Sequence, residues 1–262
     1  MLALKLALVP GFLAALTMAG RVWGPSVAGW LAGLPVVAGP IVLLLALERG
    51  PAFAAQASAA SIAAIAASEA FNFAYAWTCR VSRWWVALFA GLLAWALVAV
   101  LLTHLPLGLA WSLAVACAAV AVSQAGLPRV EGAVPAGRAG FADLALRMLA
   151  GALLTLAVTT LSASMGAAWS GVLSVFPLLG IVLAVSAQRA HGAPFVALLM
   201  RGMVIGRASF AAFFSIVALT LPTLGVLPAF ACGAMVSVLV QGATKRLVAM
   251  AHKSRAPLAA LD

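Results

Sequence analysis

Long apolar runs, broken by single charges, glycines and prolines, dominate the chain from its first residues onward. A helix needs about 20 apolar residues to cross a bilayer. Nine runs approach or exceed that length, at 2–19, 25–47, 51–78, 84–103, 107–124, 141–162, 167–188, 193–221 and 224–241. The interruptions are of the kinds that end helices: Arg21 to Gly24, Glu48-Arg49-Gly50, Arg80 to Arg83, His104 to Pro106, Ser164 to Gly166, Arg189 to Gly192, and Pro222. The longest polar stretch, 127–140, is rich in Gly, Pro and Arg, and a basic tail expected to lie in water fills 244–262.

The runs repeat. Sliding the chain along itself by 142 residues places Leu2-Ala3-Leu4-Lys5 on Leu144-Ala145-Leu146-Arg147, and Thr17 on Thr159. Gly24, Gly29, Leu31 and Pro35 fall on Gly166, Gly171, Leu173 and Pro177. Gly50, Phe53, Phe71 and Gly91 fall on Gly192, Phe195, Phe213 and Gly233. Chance apolar similarity matches Ala and Leu, but does not hold four glycines and a proline in one register. The repeat also argues against reading the first run as a signal peptide, since its twin lies mid-chain. Each copy holds four runs and 107–124 stands between them. Five crossings precede the second copy, which therefore starts on the opposite face. The expected architecture is an all-α polytopic membrane protein with nine transmembrane helices. Two inverted four-helix repeats (1–103 and 141–243) flank a linking helix with its linker (104–140), and the tail follows (244–262). Inverted repeats of this kind are a transporter architecture.

Composition points the same way. Hydrophobic residues make up 66% of the chain and charged residues 8%, against roughly 25% charged in soluble domains. The net charge of +10 would suit a nucleic-acid binder if it were clustered. It is scattered singly between apolar runs, as topology signals are, so no nucleic-acid partner is expected. With nine spans and a cytoplasmic C-terminus, the cytoplasmic face receives eleven of the loop and end cations: Arg21, Arg80, Arg83, Arg129, Arg138, Arg147, Arg189, Lys245, Arg246, Lys253 and Arg255. The outer face receives two, Lys5 and Arg49. That bias obeys the positive-inside rule. It puts the N-terminus outside and the C-terminus in the cytoplasm; the expected membrane is the bacterial inner membrane, with a periplasmic N-terminus.

The second run of each copy carries an internal proline. One reads Gly29-Trp30-Leu31-Ala32-Gly33-Leu34-Pro35, the other Gly171-Val172-Leu173-Ser174-Val175-Phe176-Pro177. Proline removes a helical hydrogen bond, and in lipid the freed carbonyls must face protein or a wet cavity. Paired interrupted helices point to a midplane site, here including Gly33, Pro35, Ser174 and Pro177. The alternative is a packing kink with glycines for close contact.

Ionisable residues add to this. Glu69, Asn72 and Tyr75 share a face of the third run, and Arg201 and Arg207 lie inside the eighth. Glu69 and Arg201 sit at similar depth, roughly 15 Å from the cytoplasmic ends of their helices, and Arg207 roughly 9 Å deeper. An unpaired charge there costs about 2.5–3.5 kcal/mol or more, so Glu69 is expected to pair with Arg201 or Arg207. One arginine is then in surplus, which suits an anionic ligand or proton coupling through Glu69. A purely structural ion pair, with the second arginine reaching cytoplasmic water, is the competing account.

Other chemistry is scarce. Cys79, Cys117 and Cys232 have no metal-ligand spacing. His104, His191 and His252 fall in predicted loops or the tail, and no nucleotide-binding, serine-hydrolase or zinc-protease motif occurs. Five acidic residues in all leave little for an enzyme, so no enzymatic activity, metal or cofactor is expected.

Ala28-Gly29-Trp30-Leu31-Ala32-Gly33-Leu34-Pro35 followed by Leu47-Glu48-Arg49-Gly50 resembles the small four-helix GlpM-type bacterial membrane proteins. The second copy keeps their Phe-Pro as Phe176-Pro177 but has Arg189-Ala190-His191-Gly192 in place of Glu-Arg-Gly. The resemblance implies a fused form of a unit that would otherwise pair antiparallel, and a loose association with envelope polysaccharide production. The expected function is alternating-access transport of a small organic anion or an anionic lipid headgroup, with membrane lipid as partner and homo-oligomerisation left open. A lipid flippase is the close variant. A non-transporting accessory subunit of an envelope biosynthesis complex is the reading from another class.

Overall fold

The computed structural model describes residues 2–105, 108–130 and 141–255. Among them the regular structure is helical throughout. That is the way a single chain satisfies its backbone without water. The helices are α1 (Leu2–Trp23), α2 (Pro25–Ala32), α3 (Ala38–Arg49), α4 (Pro51–Ala63), α5 (Ile65–Thr78) and α6 (Trp84–Thr103). There follow α7 (Leu109–Gly126), α8 (Phe141–Ser164), α9 (Ala167–Ser174), α10 (Leu178–His191), α11 (Ala193–Leu224) and α12 (Val226–Arg255).

Six stretches are long and apolar enough to cross a membrane: Pro51–Thr78, Trp84–Thr103, Leu109–Gly126, Ala167–His191, Ala193–Leu224 and Val226–Thr244. The other three expected runs are helical, as α1, as α2 with α3, and as α8. Large apolar side chains such as Phe89, Leu97, Trp111 and Leu239 point outward, while Glu69, Asn72 and nine serines are buried among the described residues. This distribution is compatible with a multi-pass membrane protein.

Helix starts fall where the sequence changes character. Gly50 and Gly192 adopt φ of 90° and 78° with extended ψ, a conformation essentially reserved for glycine. Each is followed within two residues by a proline, Pro51 or Pro194, in the first turn of the next helix, where its missing N–H costs nothing. Pro25 and Ala167, Pro51 and Ala193, and Trp84 and Val226 open helices 142 residues apart.

Four boundaries depart from expectation. Pro222 does not end its helix: α11 runs through it to Leu224 and stops at Gly225, whose φ of 76° suits glycine. The run 51–78 turns briefly at Ala64. The Ala64 amide donates to the Ala60 carbonyl at 2.9 Å and Ser68 to Ala64 at 3.1 Å, so hydrogen bonding carries through the turn. At the N-terminus α1 continues past Arg21 to Trp23. At the other end α12 continues to Arg255, because Ala, Leu, Met, Lys and Arg are strong helix formers whether or not lipid surrounds them. The expected linker and tail fall partly outside the described residues, at 131–140 and 256–262.

Packing crosses between the halves. Helix α1 lies on α8, α2 on α11, and α4 on α9. Glycine makes the closest approaches possible. A methyl group on Gly29 would overlap the Leu199 carbonyl, and one on Gly171 the Ala57 carbonyl. Gly29→Ala is therefore expected to destabilise the protein by about 1–3 kcal/mol through overpacking. Gly242→Ala meets nothing within 4 Å and should gain about 0.5 kcal/mol from helix propensity. Thermal unfolding of both variants in one detergent checks the contrast, and equal melting points would contradict the contact.

Candidate functional site

Both predicted breaks form, at residues 33–37 between α2 and α3 and at 175–177 between α9 and α10. The two prolines end one helix and start the next: the Pro35 carbonyl accepts from Gly39 at 2.8 Å, and that of Pro177 from Ile181 at 2.7 Å. The breaks meet beside α5 and α11 around a cavity of about 50 Å³, lined by Leu34, Val37, Ser174, Pro177, Asn72 and Arg207 among others. That volume holds a few waters or a small ionic group.

Glu69 finds its partner in Arg207. Arg207 Nε donates to Glu69 Oε1 at 2.8 Å, and Asn72 Nδ2 donates to the same oxygen at 3.2 Å. Glu69 is 2% exposed and the Arg207 side chain 11%. Glu69 Oε2 is buried with no hydrogen-bond partner among the described residues. Only Nε of Arg207 serves the carboxylate, so the four Nη protons of the guanidinium fork remain for the cavity it lines. The ring of Phe210 lies 6.0 Å from the guanidinium carbon.

Serines close off the carbonyl ends of the broken helices. Ser68 Oγ donates to the Val175 carbonyl at 2.9 Å, and Ser61 Oγ to that of Gly171 at 3.2 Å. Ser174 Oγ lies 2.9 Å from Ser61 Oγ. On the first break, Gln241 Nε2 donates to the Trp30 carbonyl at 2.8 Å. The negative ends of α2 and α9 are thus answered by side-chain donors. The first residues of α3 and α10, Ala38 and Leu178 to Gly180, line the cavity instead. Helix N-termini carry partial positive charge, so Arg207 and two helix starts converge on one small volume.

Other expected site residues fall elsewhere. Arg201 does not reach Glu69; its Nη1 donates to the Leu127 carbonyl just past the end of α7, at 3.0 Å. Six residues at 100° each turn it away from the Arg207 face. Gly33 lies against Gly206, where any side chain would overlap the backbone, so it serves the approach of α2 to α11. Pro35 lines a separate apolar crevice of about 400 Å³ against α12.

Ser61, Ser68 and Gln188 were not among the expected site residues. Gln188 accepts from the Tyr75 hydroxyl at 2.9 Å and donates to the Cys79 and Ser82 carbonyls, tying α10 to the end of α5. The signal for the serines was present. Ser58, Ser61, Ser68, Asn72 and Tyr75 follow spacings of three and four through Ile65, a polar stripe along one helical face.

These features define, among the described residues, an all-helical protein with six helical stretches long and apolar enough to cross a membrane, and a buried ion pair beside a small polar cavity. No protein-family model, curated protein or solved structure matches the chain.

Proposed function

We propose that the chain is a nine-span secondary transporter of the bacterial inner membrane. It moves a small organic anion, or the headgroup of an anionic lipid, by alternating access between two inverted four-helix repeats. One observation carries this reading: both helix breaks meet at one cavity beside Arg207, whose guanidinium is only partly used by Glu69. A structural ion pair has no need of two interrupted helices or a cavity. An anion trades its hydration shell there for the Arg207 Nη groups, the Asn72 amide and the starts of α3 and α10.

Reciprocal contacts support the repeat. Under exchange of copies, a contact of Gly29 with Leu199 requires one of Gly171 with Ala57, and both occur. Gly91 against Phe71 is matched by Gly233 against Phe213. Rocking one copy against the other around a fixed site is the motion such a pair provides. The likeness to GlpM-type proteins fits a fused, antiparallel pair of units.

The charge bias supports the orientation. Trp77 Nε1 donates to the Gly126 carbonyl at 3.0 Å, and Arg189 lies over the Trp84 ring, 5.9 Å from its centroid. Every helix end in these contacts is assigned to the cytoplasmic face.

Single cysteines at the equivalent positions Glu48 and Ala190 test the inversion. They should react with a membrane-impermeant maleimide from opposite sides, periplasmic for Glu48→Cys and cytoplasmic for Ala190→Cys. Labelling of both from one side would end the inverted model. The native Cys117, exposed on α7, and the half-buried Cys232 on α12 are replaced for this experiment. Buried Cys79 can stay. Burial outweighs the neighbouring Arg80 and pushes its thiol up to about 11, leaving little reactive thiolate at neutral pH. Uptake of a radiolabelled carboxylate panel into proteoliposomes tests the transport itself, and no protein-dependent uptake of any member would remove it.

A further inference from the structure

The two flanks of the candidate site are not alike. Position for position, a shift of 142 residues pairs Trp95 with Ser237 and Phe176 with Leu34. Where α6 meets α10, the buried Trp95 packs edge-on against Phe176, with ring centroids 5.0 Å apart and an interplanar angle of 79°. Two aromatic rings close that flank. Where α12 meets α3, a serine and a leucine stand in their places, and the space the rings would fill remains as the crevice of about 400 Å³.

This crevice has three properties that matter. Its walls are apolar, with Pro40, Leu43, Phe213, Phe230 and Val238 among them. Val238 is 65% exposed on the outer face of α12, so the mouth faces the hydrocarbon of a bilayer rather than water. Inside, the Ser237 hydroxyl is 1% exposed and has no hydrogen-bond partner among the described residues. A buried hydroxyl without a partner is costly, and Ser237 belongs to the wall of the crevice. The crevice and the Arg207 cavity lie on two sides of the break that leads into α3, and Leu34 is a wall of both.

We infer that the crevice is a lateral passage and that the transported anion is amphiphilic: one hydrocarbon chain ending in a carboxylate or phosphate. This rests on the reading of Arg207 as an anion site and narrows its substrate class. The physical argument concerns the route. Burying a tail in the crevice gains little, since lipid is equally apolar. What the passage avoids is the removal of methylenes from hydrocarbon, about fourfold in affinity for each one exposed to water. Through it the headgroup moves past Leu34 to Arg207 while the tail stays in an apolar medium. Ser237 offers a hydrogen bond on the way. A small water-soluble anion needs no such opening, and two aromatic rings would seal this flank as they seal the other.

The test uses the full chain in zwitterionic nanodiscs with two probes. Butyrate binding reads the anion site alone. A palmitate analogue with a mid-chain diazirine reads the passage by photocrosslinking and peptide mapping. The palmitate probe should label segments of α3 and α12 around the crevice, competed by unlabelled palmitate. Ser237→Trp, which restores the ring of the other flank, should reduce that labelling at least about tenfold. Butyrate binding should stay within twofold, which also reports that the variant is folded. Ala234→Phe, at the exposed mouth, should act in the same direction if the tryptophan variant misfolds. Butyrate binding without crevice labelling, or labelling that survives both fillings, would overturn the amphiphile and leave the small-anion transporter standing. Binding of neither probe to the wild type would remove both. A disulfide between copies through Val238→Cys, insensitive to excess palmitate, would assign the crevice to a dimer contact and overturn the proposal as well.

Discussion

Arg207→Gln should lower anion uptake into proteoliposomes at least about 100-fold, the loss of roughly 2.7 kcal/mol of charge-assisted binding. It should also unfold more easily than the wild type. Its partner Glu69 is 2% exposed, and removing one member of a buried pair typically costs about 3–5 kcal/mol because the other charge is stranded. The double variant Arg207→Gln/Glu69→Gln separates the two effects. With both charges gone, and an amide pair able to hydrogen-bond in their place, most of the stability should return while uptake stays absent. Full recovery of uptake in the double variant would mean that Arg207 serves only to neutralise Glu69. Arg201→Gln is the matched control: it loses one hydrogen bond to the Leu127 carbonyl, so uptake should stay within about threefold and stability within about 1.5 kcal/mol.

The contrast between these two arginines marks what could be read from sequence and what could not. Depth along a helix follows from residue count, so both were legible as cations inside a span, and of the two Arg207 lies beside Glu69. Their partners depend on which neighbour each face meets. That Arg201 would meet the end of α7 is a matter of tertiary packing, which the intervening linker gives no means of predicting. The breaks at Pro35 and Pro177 were legible because proline acts locally. Their convergence on α5 was half legible. Glu69 stood out by its cost in lipid, whereas Ser61 and Ser68, cheap residues in a transmembrane helix, drew no attention despite their three-four spacing with Asn72. The asymmetry of Trp95 and Ser237 is also written in the aligned copies. Its meaning lies in the packing: the ring of Trp95 occupies a space that Ser237 leaves open.

Glu69→Gln should give a protein that binds the anion more tightly yet no longer accumulates it. Glu69 and the incoming anion share one guanidinium, Glu69 on Nε and the anion on the Nη groups, so each weakens the hold of the other. Removing the internal competitor should tighten anion binding about tenfold, corresponding to about 1.4 kcal/mol of a partly solvated charged hydrogen bond. Coupling follows from the same competition. With an anion on the Nη groups, two negative charges share one guanidinium, and a proton carried with the anion restores the balance. The wild type should then carry one proton with each monovalent anion, faster as the pH on the loading side falls. Because the pair crosses without net charge, a potential imposed with potassium and valinomycin should leave the wild-type rate unchanged. Each uncompensated charge would otherwise gain about 2.3 kcal/mol per 100 mV. In Glu69→Gln the pH dependence should vanish and gradient-driven accumulation should fall at least about tenfold, while exchange of labelled for unlabelled anion continues. Uptake by the variant that still follows an imposed proton gradient would place the coupling proton on another group and reduce Glu69 to a structural partner of Arg207.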